Sequence, residues 1–179
     1  MVGEAVEGEI GKCSELYDSG LNEEALRCYD EIVRFMPELG IGWYLKGMCL
    51  YKLNRFDEAI ACFEKAGSLD KDQYLPWQAK GMALVRLFKF EEAIVSFKEA
   101  LERNPRDVET MFLVAACFIF MGDDERAREW VRTAMRFDPL KTKSLLQTFF
   151  ETFVLRDENI TVDEKLNIQH MIDELGKEE

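Results

Sequence analysis

The chain has 179 residues, 47% of them apolar, with only 4 prolines and 11 glycines. That excludes a disordered chain, a collagen-like one and a loop-rich all-β fold, and leaves one compact domain or a short repeat array. A net charge of −12 and a pI near 4.7 repel phosphate backbones and anionic lipid, so neither nucleic acid nor a membrane surface is expected as a partner.

From the N-terminus, residues 1–5 read as a tail. The first fifteen residues carry four glutamates and no apolar run, so no secretory leader is expected. From residue 6 a 34-residue period sets in. Phe56-Asp57-Glu58-Ala59-Ile60 recurs as Phe90-Glu91-Glu92-Ala93-Ile94, and Trp43, Lys46, Gly47 and Met48 recur as Trp77, Lys80, Gly81 and Met82. Ala25, Ala59, Ala93 and Ala127 form one column; Tyr29, Phe63, Phe97 and Val131 form another. Four units tile residues 6–39, 40–73, 74–107 and 108–141.

Each unit reads as two helices. Asn54-Arg55 marks the turn of the second unit, and Gly20 and Gly122 mark those of the first and fourth. Pro37, Pro105 and Pro139 stand just past the second helix, where a missing N–H stops it. Cys13, Gly47, Gly81 and Ala115 are expected to face the alanine column, because helices approach closely only over small side chains. Asp57-Glu58, Glu91-Glu92 and Asp123-Asp124 open second helices, where negative charge suits the N-terminus.

On Trp43, Gly47, Ala59, Phe63 and Ala66 in one unit, and Trp77, Gly81, Ala93, Phe97, Ala100 and Pro105 in the next, the chain resembles the tetratricopeptide repeat family over residues 6–141. The first unit, with Glu9 and Cys13 in place of Trp and Gly, matches most loosely, and Lys71 replaces a closing proline. Lys12, Lys46 and Lys80 stand where the family has leucine; their stems are expected along the packed surface with the ammonium in solvent. The resemblance implies an all-α fold, an α-solenoid whose antiparallel helix pairs wind into a right-handed superhelix. It also implies a concave face, lined by first helices, that binds a protein segment.

Carried over by repeat position, the partner-binding residues would be Tyr44, Met48, Tyr51, Lys52, Met82, Arg86, Phe112, Ile119 and Phe120. The Lys/Asn/Arg clamp of chaperone-binding members has no counterpart. Its positions read Ile10, Ser14, Leu45, Leu75 and Ala79, or one unit on Tyr44, Met48, Ala79, Glu109 and Leu113.

Residues 111–121 are apolar throughout, which is too short to cross a bilayer and implies a helix buried on all sides. The face with Phe112, Ile119 and Phe120 is covered by the chain's own C-terminal segment, by a partner or by a second copy. Residues 142–179 leave the period: Leu145, Leu146, Phe149, Phe150, Phe153 and Val154 form the stripe of a capping helix over about residues 143–156. Thr161 to Glu164 form a capping-box pattern. A final amphipathic helix is expected over about residues 162–175, with Ile168, Met171, Ile172 and Leu175 on one face and a polar hinge at Asp157-Glu158-Asn159 before it.

No catalytic, cofactor or metal site is expected. His170 is the one histidine, and no phosphate-cradling glycine loop or nucleophile elbow is present. Five cysteines without a CxxC argue against a disulfide framework and a zinc ribbon. Cys13, Cys28, Cys49, Cys62 and Cys117 read as small core fillers in a reducing, cytoplasmic setting. These features point to a non-enzymatic interaction module or scaffold that binds an apolar or amphipathic segment of a partner protein. The alternative is a self-assembling structural protein, for instance a homodimer paired through its groove or C-terminal surfaces. A regulator of a separate catalytic chain is a third, weaker reading.

Overall fold

A computed structural model of the chain describes residues 2–156, 161–163, 165, 166, 169 and 170, with side chains from residue 6 onward. Regular structure among the described residues is helical throughout, and none of those helices is long and apolar enough to cross a membrane. The chain divides into two compact units, Met1–Pro105 and Arg106–Glu179.

The first unit holds α1 (Val2–Asp18), α2 (Asn22–Phe35), α3 (Gly40–Lys52), α4 (Phe56–Leu69), α5 (Leu75–Arg86) and α6 (Phe90–Arg103). The helical period of their apolar residues sets their packing. Ala25, Leu26, Tyr29, Ile32 and Val33 form the buried stripe of α2, and Ala59, Cys62, Phe63 and Ala66 that of α4. Paired helices approach where side chains are missing, but the small residue on the first helix meets a ring rather than an alanine. A Cβ on Gly47 would lie 2.5 Å from the Phe63 ring, and one on Gly81 would collide with Phe97. Gly67 does the same for the next contact, since a Cβ there would sit 2.8 Å from the Trp77 indole.

Every turn within a helix pair closes the same way. The second residue after the first helix takes a left-handed φ: Gly20 (78°), Asn54 (60°) and Phe88 (59°) in the first unit, and Gly122 (75°) in the second. The following N–H then reaches back over five residues, as from Leu21 to the Leu16 carbonyl, Arg55 to Leu50 and Lys89 to Leu84. This is the Schellman closure, which glycine and asparagine adopt easily and a phenylalanine does not.

The cysteine reading needs correction. Cys13 on α1 and Cys28 on α2 are joined by a disulfide, with their Cα atoms 5.5 Å apart. The odd cysteine count hid this, because two small-residue columns of one helix pair lie at disulfide distance whatever the other cysteines do. Cys49, Cys62 and Cys117 are free and buried.

The second unit holds α7 (Val108–Phe120), α8 (Asp124–Phe137) and α9 (Pro139–Phe149), followed by a π-helical turn, Phe150–Val154. The capping helix expected from about residue 143 begins at Pro139. Proline fits the first turn of a helix as well as the space after one. Here the Asp138 carboxylate accepts from the Lys141 N–H at 2.9 Å and starts α9 directly after α8. Leu146, Phe150 and Val154 then bury against Phe112, Ala115 and Val131. Ile168, Met171, Ile172 and Leu175 of the expected final helix, and the hinge Asp157-Glu158-Asn159, lie outside the described residues. Among the described residues of this stretch the Lys165 N–H donates to the Thr161 carbonyl at 3.0 Å, and Gln169 Nε2 donates to Gln147 Oε1 at 3.1 Å.

Candidate partner-binding face

In the first unit, α3 and α5 present Tyr44, Met48, Tyr51 and Met82 half-buried and Lys52 and Arg86 exposed. Tyr44, Met48 and Tyr51 rest on the buried cluster that contains Cys49, Leu50 and Phe63. Tyr44 tilts against Phe63 with centroids 5.9 Å apart, and burial pushes its phenol above the usual tyrosine range. Beside it a hollow of about 150 Å³ is lined by Gly40, Ile41, Tyr44, Ala66, Asp70, Gln73, Leu75 and Pro76. Ile41 and Leu75 stay 48% and 37% exposed at that hollow, so its wall is apolar and open.

At the other end of the same helices Tyr51 meets Phe56 edge-on at 5.5 Å. The Arg86 guanidinium lies 4.9 Å from the Phe56 centroid and 5.9 Å from that of Tyr51. It also donates to Asn54 Oδ1 at 3.3 Å. Rings thus hold the cation in place while its edge stays in solvent.

Lys46 and Lys80 do not join this face. Lys46 Nζ pairs with Asp30 at 2.8 Å and Lys80 Nζ with Glu64 at 2.7 Å, and each lies over the tryptophan three residues before it. The two tryptophans differ. Trp43 Nε1 donates to the Pro37 carbonyl at 2.8 Å. At the next period Lys71 stands in place of that proline, and its carbonyl accepts from Arg103 Nε at 2.7 Å. The Arg103 guanidinium covers the Trp77 ring at 4.9 Å, and Trp77 Nε1 has no acceptor among the described residues.

In the second unit the expected binding residues are largely covered by the chain itself. Phe112 is 7% exposed and meets Phe149 at 6.0 Å, so an outside ligand reaches it only if α9 moves. Phe120, 44% exposed, touches Phe149 and Phe153, both at 5.8 Å, and Ile119 is half-buried. Of the three coverings left open by the sequence, the C-terminal segment supplies this one.

Sequence reasoning passed over Phe88. Its signal was the turn column, which reads Gly20, Asn54, Phe88 and Gly122.

Tetratricopeptide repeat profiles match residues 41–72 and 84–144, and the chain belongs to the tetratricopeptide repeat family. No curated protein matches it. Solved structures of the same fold include MamA from Desulfovibrio magneticus RS-1, residue 41 to the end. It is 19% identical with a TM-score of 0.74, over 96% of this chain and 95% of that one. YrrB, described as a TPR protein with an unusual peptide-binding site, is 19% identical with a TM-score of 0.68, over 98% and 92%. The first TPR of Spaghetti (RPAP3), bound to the HSP90 peptide SRMEEVD, is 20% identical with a TM-score of 0.63, over 65% and 93%. These likenesses establish an all-α helical-repeat fold.

Proposed function

We propose that the chain is a non-enzymatic interaction module whose first unit binds an apolar or amphipathic segment of a partner protein. The observation that carries this is the row of half-buried Tyr44, Met48, Tyr51 and Met82 beside an open apolar hollow, with Lys52 and Arg86 at its end. Rings and thioethers on a rigid helix offer contact area at low entropic cost, and an ordered arginine adds direction. Peptide binding by the RPAP3 and YrrB structures is consistent with it. The partner differs from an HSP90 tail, because the carboxylate-clamp positions here hold Ile10, Ser14, Leu45, Leu75 and Ala79. Ile119 and Phe120 offer a smaller apolar edge in the second unit, and Phe112 contributes only when Phe149 is displaced. The reading involves no cofactor, nucleic acid or membrane.

To test it, peptides selected from a random displayed library on the native protein are measured against Met48→Ala and Tyr51→Ala. Loss of an anchor weakens binding by about 2 kcal/mol, roughly thirtyfold, with little dependence on salt. Unchanged affinity in both variants refutes the groove.

Self-assembly is the second reading. It is favoured by Leu140, Phe137, Phe153 and Leu155 of the second unit, 84%, 47%, 53% and 49% exposed. Light scattering at micromolar concentration decides it: a monomer rules out obligate pairing.

A further inference from the structure

Phe88 occupies a position that the fold does not reserve for an aromatic residue. The closure needs only a residue at ease with positive φ, which Gly20, Asn54 and Gly122 provide at the sister turns. A phenylalanine at φ 59° is strained, and strain of this kind persists where something else depends on it. The ring gains no burial in return. It is 81% exposed and meets Phe90 edge-on at 6.2 Å.

The charges around it are arranged unevenly. Arg86, two residues earlier, is held by Tyr51, Phe56 and the Asn54 amide, none of which neutralises it. Lys89 follows and Lys52 ends α3; both are exposed and form no ion pair among the described residues. Of the nearby acids, Glu58 is bound bidentately by Arg55 at 2.7 Å. Asp57, Glu91 and Glu92 sit in the first turns of α4 and α6, where the helix N-termini favour them.

We propose that this turn edge, Phe88 with Arg86 and Lys89, is a second docking surface for a protein segment in which a carboxylate stands beside an apolar side chain. The apolar side chain packs on the Phe88 ring. The carboxylate takes the solvent-facing N–H groups of Arg86, whose plane is already fixed by stacking, with Lys89 adding charge. A chain of net charge −12 repels most acidic segments, so an apolar contact is needed alongside the ion pair. The surface shares with the proposed groove Arg86 and the Tyr51 ring that helps hold it, while Phe88 and Lys89 are not groove residues.

The test selects a random twelve-residue phage-displayed peptide library on the full chain. Fluorescent synthetic copies are then measured by anisotropy, with a fluorescent twelve-nucleotide oligothymidylate as a second probe. One peptide class is expected to carry Asp or Glu next to Leu, Ile, Met or Phe. Its Kd rises tenfold or more in Phe88→Asn and in Lys89→Glu and stays unchanged in Tyr44→Ala. Phe88→Asn copies the residue of the neighbouring turn, so it melts at or above the wild-type temperature, which separates lost binding from lost fold. Peptides that respond to Tyr44→Ala but not to Phe88→Asn overturn this proposal while leaving the groove standing. Peptides that respond to Phe88→Asn and Lys89→Glu but not to Tyr44→Ala support this proposal, and the groove is then judged by Met48→Ala and Tyr51→Ala. A lower melting temperature in Phe88→Asn, or oligothymidylate binding that depends on Phe88, also overturns it.

Discussion

The two units bury their helices by different means. In the first, a contact repeats with the sequence: Lys46 pairs with Asp30 over Trp43, and 34 residues later Lys80 pairs with Glu64 over Trp77. One period further the lysine column holds Val114, fully buried in a helix whose only charge is Glu109. The same helix is covered at Phe112 and Phe120 by a cluster of rings, with Phe149 against both of them and against Phe153. A repeating helix pair can leave polar groups at its seams, because each period supplies the matching partner. A helix whose cover is not a repeat has no such partner supplied in register, and bulk apolar side chains replace it.

Removing that cover should have the largest effect. Truncation after Asp138 deletes Leu146, Phe150 and Val154, each buried and worth about 1.5–3 kcal/mol, and uncovers Phe112 and Val131. The shortened chain is expected to aggregate and to bind a hydrophobic dye, as read by light scattering and fluorescence. Truncation after Glu158, which spares α9 and the π-helical turn, should leave a soluble chain that melts cooperatively. If the shorter chain stays monomeric and melts cooperatively, the ring cluster is not the cover that distinguishes the second unit.

The first helix pair is a second departure from the repeating pattern. Where later pairs set Gly47 against Phe63 and Gly81 against Phe97, this one has Cys13 bonded to Cys28. Closing a loop of 15 residues stabilises by about 3 kcal/mol in the chain-entropy account, so reduction should loosen α1 from α2. Thiol titration after unfolding without reductant should find the three free cysteines, and all five after reduction. In the native state at pH 8 the free thiols should react slowly. Burial pushes Cys49 and Cys117 up to about 12 and Cys62 upward as well, so the thiolate is scarce. Five thiols without reductant would mean that the first pair is held by packing, as the later ones are.

Most of the periodic part was legible because its columns are packing constraints. Ala25, Ala59, Ala93 and Ala127 are all at most 4% exposed, and Tyr29, Phe63, Phe97 and Val131 at most 7%. The helix face carrying Tyr44, Met48 and Tyr51 could likewise be read from repeat position. What stayed hidden depends on contacts or conformations with no period. Proline has the same signature after a helix and at its first turn, which concealed the start of α9 at Pro139. The cover over Phe112 depends on where a non-repeating helix lands. A left-handed φ at Phe88 is visible only by aligning four turns, since its own sequence, Leu87-Phe88-Lys89, carries no turn residue.

Within the helix pairs, a single methyl group should separate the units. Gly81→Ala drives a Cβ into the Phe97 ring, which overpacks by about 1–3 kcal/mol. The same column already holds alanine in the second unit, at Ala115, which is fully buried. There the reverse change, Ala115→Gly, should cost about 1 kcal/mol through backbone entropy and the lost methyl. Thermal melts of both variants test this. If Gly81→Ala melts at the wild-type temperature, Phe97 can withdraw and the glycine is not needed for close approach.

The smallest effect is expected from the ion pairs that make the first unit look most distinctive. Lys80 is 21% exposed, but its partner Glu64 is 53% exposed, so water screens the pair. Pairs of that kind are worth about 0–1 kcal/mol. Lys80→Leu restores the residue usual for the family and trades the pair for extra apolar contact over Trp77, so stability should change by less than about 1 kcal/mol. For a chain of this length that moves the melting temperature by no more than about 4 °C, and added salt should barely move the wild-type melt. Glu64→Gln alone should behave alike, and the double variant should show a coupling of at most about 1 kcal/mol. A loss above about 2 kcal/mol in Lys80→Leu, recovered in part by Glu64→Gln, would show that the lysine seam stabilises the first unit as strongly as the rings stabilise the second.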